Sequence, residues 1–139
     1  MKKIVLLMAF VAHASVAQAQ DPRAVATAEY QACLKESEQA RKACSFGGCG
    51  NILGACYERQ IAVIEQDSAR VYEQLQGGAC AESAGKIGAE FSGLGDRLAK
   101  LQQFDGTWSG FELRVELAAA KNKSLTLLAS DCPAVGKGR

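Results

Sequence analysis

The stretch NILGACYERQIAVIEQDSARVYEQL, residues 51–75, decides the fold. Leu53, Tyr57, Ile61, Ile64, Ser68, Val71 and Leu75 recur in steps of four and three, one stripe on a 3.6-residue helix. Asn51 is a plausible N-cap, and Gly77-Gly78 ends the segment. Three more segments share this spacing. Ala26, Tyr30, Cys33, Ser37, Ala40 and Cys44 follow Asp21-Pro22, a capping residue with proline at the first helical position. Cys80, Ala84, Ile87, Phe91, Leu94, Leu98 and Leu101 form a third stripe, interrupted by glycines at 85, 88, 93 and 95. Each of these costs up to ~1 kcal/mol relative to alanine, and together they would suit a close helix crossing. After the turn and cap at Asp105-Gly106-Thr107, the fourth stripe is Trp108, Phe111, Val115, Ala118, Leu125 and Leu128. Asn122 falls on that stripe, so a break is expected near residues 121–124.

The connections are short, and no stretch alternates with period two. The expected fold is therefore all-α, an up-and-down bundle of about four helices. Phe46-Gly47-Gly48-Cys49-Gly50 forms the first turn, because its glycines disfavour a helix.

Ahead of the bundle stands a secretory signal pattern: Met1-Lys2-Lys3, an apolar run from Ile4 to Ala12, and Ala17-Gln18-Ala19. The run is too short to span a bilayer, and no cysteine stands at the cut site for lipid attachment. Residues 1–19 are read as a cleaved signal and 20–139 as one domain, periplasmic or secreted, without a stable membrane anchor. With Lys2 and Lys3 removed, 14 basic residues face 15 acidic ones, a net charge of −1. No basic stripe for nucleic acid is present. The one histidine, His13, lies in the signal. Its loss removes Ser-His-Asp and Cys-His catalysis and any histidine-bearing metal site. The expectation is a non-enzyme with no cofactor and no metal.

Six cysteines, Cys33, Cys44, Cys49, Cys56, Cys80 and Cys132, read as structural disulfides in an exported domain. Cys44 and Cys56 lie symmetrically about Gly50, and Cys80 and Cys132 share the opposite end of the bundle, so Cys44–Cys56 and Cys80–Cys132 are the favoured pairs. The alternatives are Cys44–Cys49 with Cys33–Cys56, or an unpaired Cys49 on an exposed loop. Trp108 is expected in the core, with the Tyr57 and Tyr72 hydroxyls at its rim. Glu58, Glu65, Asp67 and Glu73 are expected to make the outer side of the second helix acidic.

Cys44, eleven residues, then Cys56-Tyr57-Glu58-Arg59-Gln60, continuing to Asp67, Val71-Tyr72 and Leu75, resembles the LprI-like lysozyme-inhibitor family. Ser68-Ala69 stands where that family usually has Leu-Asn. Gln102-Gln103, Trp108, Phe111 and Glu112, and later Ser124-Leu125, Leu128, Ser130 and Cys132, resemble its second half. The resemblance implies a small exported helical domain, in some members a lysozyme inhibitor, with Cys80 replacing the family's cysteine after the tryptophan as partner of Cys132. Lysozyme is strongly basic, so an inhibitor would offer it an acidic face or insert a loop into its cleft. The expected contacts are Phe46, Gly48 and Asn51 in the first turn and Glu58 and Glu65 on the second helix. The rival expectation is an assembly partner of another envelope protein.

Overall fold

The computed structural model describes residues 21–44, 49–101 and 104–132. The signal segment, Phe46, Gly48, Gln102-Gln103 and the tail from Pro133 lie outside them. The described residues are helical with no strand: α1 Pro22–Glu36, α2 Glu38–Ala43, α3 Cys49–Leu75, α4 Ala81–Ala99 and α5 Trp108–Asp131.

α1 starts where the sequence places its cap: the Asp21 carboxylate accepts from the Arg23 N–H at 3.0 Å, with Pro22 at the first helical position. The expected single first helix is divided at Ser37. Its hydroxyl donates to the Cys33 and Leu34 carbonyls, at 2.8 and 3.3 Å, competing with the backbone for those acceptors. The short α2 follows. The start of α3 also departs from expectation: it begins at Cys49, so Asn51 is an exposed residue of the first turn and not the cap.

The long α3 is the axis of the molecule. It packs mainly against α1 and α5, while α4 rests chiefly on α5. One core cluster joins Ala26 of α1, Ile61 and Ile64 of α3, and Ala118 and Ala119 of α5. The small alanines let the three backbones approach. A second cluster at the far end joins Val71, Leu75, Ala84 and Leu125, with Ile87 and Leu128 against it. Ile64, at 1 % exposure, is worth roughly 2 kcal/mol of burial.

α3 and α5 lie side by side and run parallel, although their connection passes through the whole of α4. Three cross-links fix their register: Arg114 with Glu58, Lys121 with Glu65, and the Asn122 amide donating to Asp67 Oδ2 at 2.9 Å. That third contact explains why α5 runs unbroken through residues 121–124. Asn122 is buried but partnered, so its polarity does not interrupt the helix.

Two disulfides are formed, Cys33–Cys56 (Cα–Cα 5.4 Å) and Cys80–Cys132 (6.2 Å). Cys80–Cys132 is the pair expected at the far end. The favoured Cys44–Cys56 pair is not made; Cys56 takes Cys33 instead. The error lies in the centre of the hairpin. Cys33 and Cys56 are symmetric about residues 44 and 45, some five residues before Gly50, because α3 already includes Cys49 and Gly50. The α4 glycines do not make the expected close crossing: a Cβ on Gly88 or Gly95 would meet nothing within 4 Å. Among the described residues no helix is long and apolar enough to cross a membrane.

Candidate functional site

The start of α5 is built around two glycines and one cap. Gly106 has φ +63°, a left-handed turn that glycine adopts without strain. Thr107 then caps α5, its hydroxyl accepting from the Gly110 N–H at 3.1 Å. The Phe104 carbonyl folds back over Gly110 so closely that a Cβ there would lie 1.8 Å from its oxygen. This turn sets the position of Trp108, the first residue of the helix.

Trp108 is 48 % exposed, which corrects its expected place in the core. Its stripe position faces Tyr57 of α3, and among the described residues no further helix covers its outer side. Its ring centroid lies 6.4 Å from that of Tyr57. Tyr57 in turn stacks on Phe111 at 5.5 Å and 7°, and leans on Tyr30 of α1 at 4.8 Å. Gly54 lets Phe111 approach, since a Cβ there would come within 2.9 Å of the ring. The Arg114 guanidinium lies 5.9 Å from the Phe111 centroid, within cation–π range. Four aromatic rings from three helices thus form one cluster, open on the Trp108 side.

Burial pushes the Tyr57 hydroxyl up to about 12, reinforced by its hydrogen bond with Tyr30 and the nearby Glu112 carboxylate. Tyr57 is therefore a neutral phenol at physiological pH, suited to packing and hydrogen bonding. Nearby, Arg59 bridges α3 to α1: Nε donates to Glu29 at 2.7 Å and Nη1 to Glu36 at 2.5 Å. These bonds hold Glu36 below the usual carboxylate range. The α3–α5 register of 56 residues, read from Glu58–Arg114 and Glu65–Lys121, puts Trp108 level with Ile52. Asn51 and Trp108 thus mark the same end of the bundle, flanked in sequence by the exposed carboxylates Asp105 and Glu112.

The expected acidic outer side of the second helix is only partly formed: Glu58 and Glu73 are exposed, whereas Glu65 and Asp67 are half-buried. Glu58 and Glu65 point at α5 and are paired with Arg114 and Lys121. Asp67 also turns inward, its side chain 17 % exposed. Burial raises its carboxyl, but Asn122 and Arg70 outweigh that and hold it below the usual range. Of the expected contact residues, Asn51 is exposed near the aromatic end and Phe46 and Gly48 lie outside the described residues. Sequence reasoning missed the cluster, although Tyr30, Tyr57, Trp108 and Phe111 all sit on helical stripes. Only the pairing of α3 with α5 brings them together.

A concavity of about 490 Å³ opens between α4 and α5, lined by Leu98, Phe104, Leu113 and Leu117 with Glu58 and Arg114 at its edge. Among the described residues no group of three or more Cys, His, Asp or Glu is placed to hold a metal ion. The chain matches no family model, no curated protein and no solved structure.

Proposed function

We propose that this chain is an exported, non-enzymatic binding module that engages a protein partner through its aromatic end, and that the partner to test first is a lysozyme-type muramidase. The observation that carries the reading is the half-exposed Trp108, set beside Tyr57 by the capped turn at Gly106-Thr107. A large amphipathic ring fixed by its neighbours loses little entropy on binding, and interface hot spots are rich in such residues. Asp105 and Glu112 beside it suit a basic partner. The choice of muramidase rests on the resemblance to the LprI-like lysozyme inhibitors. Inhibition would be by occlusion, with Asn51 at the rim of the contact.

The test is a muramidase assay with the oxidised mature protein titrated to stoichiometry, beside a Trp108→Ala variant. Loss of activity at near-equimolar ratio, relieved by the substitution, is the expected result. Full muramidase activity across a panel of lysozyme types at excess protein would refute the choice of partner. The rival reading, an assembly partner of another envelope protein, is favoured by the concavity between α4 and α5. Crosslinks to a partner that map to Leu98 and Leu117, away from Trp108, would select it.

A further inference from the structure

Two cysteines remain unbonded, Cys44 and Cys49, both half-buried. They converge on one acceptor. Cys44 ends α2, its backbone N–H donating to the Arg41 carbonyl at 3.3 Å. Cys49 opens α3, and its thiol is directed at the same carbonyl at 3.7 Å. Cys33 and Cys56 form the buried bond of this hairpin, with Cys56 fully buried, so neither competes for these sulfurs.

We infer that Cys44 and Cys49 form a reversible dithiol–disulfide site that exchanges with small disulfides such as oxidised glutathione. One cysteine thiolate attacks a sulfur of the donor disulfide and expels the first donor thiolate. The second cysteine thiolate attacks the protein sulfur of the mixed disulfide and expels the other donor thiolate. The protein loses two protons and two electrons and gains one S–S bond; the donor takes up the electrons and leaves as two thiols. Cys44 and Cys49 are half-buried where Cys33 and Cys56 are buried, so of the two bonds at this hairpin theirs is the more labile, since exchange needs access for the incoming thiolate. Closing it would tie the end of α2 to the start of α3, where Asn51 lies. The inference stands apart from the choice of partner above.

The test uses the oxidised mature protein, blocked with N-ethylmaleimide and weighed intact, across a series of glutathione ratios. The expected result is no adduct in oxidised glutathione. Two adducts, on Cys44 and Cys49, should then appear at a ratio about tenfold less reducing than the one that opens Cys33–Cys56. A Cys44→Ser variant should accumulate a glutathione adduct on Cys49, because the resolving thiol is gone. Two thiols that persist in oxidised glutathione, or stable glutathione adducts on the wild-type protein, would overturn the inference. So would a Cys44–Cys49 bond that opens only together with Cys33–Cys56.

Discussion

Replacing Gly110 with alanine tests whether the start of α5 is built as described. The added Cβ would lie 1.8 Å from the Phe104 oxygen and 2.8 Å from its carbonyl carbon. Both are backbone atoms, so no rotamer change relieves the clash. Overpacking of this kind costs about 1–3 kcal/mol, and the upper end applies where backbone must move. The shift also disturbs the Thr107 cap on the Gly110 N–H, worth about 1 kcal/mol. Alanine's helix propensity returns at most ~1 kcal/mol. The net expectation is a loss of about 2–3 kcal/mol, or a Tm lower by about 10 °C for a domain of this size. Gly88→Ala is the internal control. Nothing lies within 4 Å of its added Cβ, so the same substitution should stabilise by up to ~1 kcal/mol. Thermal unfolding by circular dichroism reads both. The fluorescence of Trp108, the only tryptophan, should shift to the red in Gly110→Ala. An unchanged or raised Tm for Gly110→Ala would refute the account of this turn.

Four further expectations follow from the same geometry. Trp108→Ala should weaken binding to a true partner by about 30-fold or more, as hot-spot truncations do, while the far-end disulfide stays formed; isothermal calorimetry checks this. Tyr57 should ionise near 12 in an absorbance titration at alkaline pH. Because its folded value is raised, its contribution is complete below the ordinary tyrosine value of about 10 and is lost as pH rises towards 12. Asp67 has the opposite sign: its contribution is present above the ordinary carboxylate range and is lost as pH falls through its depressed value. Asn122→Ala should remove the buried donor to Asp67 at a cost of about 1–3 kcal/mol and move acid unfolding to higher pH. Replacing Cys33 and Cys56 together by alanine should cost about 3 kcal/mol by chain entropy, measured by denaturant unfolding.

Much of the bundle is legible in the apolar stripes, because period and breakers are local properties. The α1 cap at Asp21-Pro22, the end of α3 at Leu75 and the turn before Trp108 all follow from neighbouring residues. What the stripes do not encode is which helices meet. Sequence spacing suggests neighbours in chain order, yet α3 packs against α5, and this contact pairs Glu58 and Glu65 with α5 cations and gathers the aromatic cluster. The disulfide error has a similar root: glycines at 47, 48 and 50 read as one turn, but Gly50 lies inside α3. Trp108 misleads because a stripe position at the first residue of a helix has no preceding turn beside it to pack against, and its outer side stays bare.

The placement of the two disulfides has a further consequence. Cys33–Cys56 lies wholly within the segment ending at Leu75, and Cys80–Cys132 wholly within the segment that follows Ala79. Among the described residues the α3–α5 seam is held by side chains, and the covalent strand between the halves is Gln76-Gly77-Gly78-Ala79. A cut there would leave each half closed by its own disulfide and no covalent bond between them.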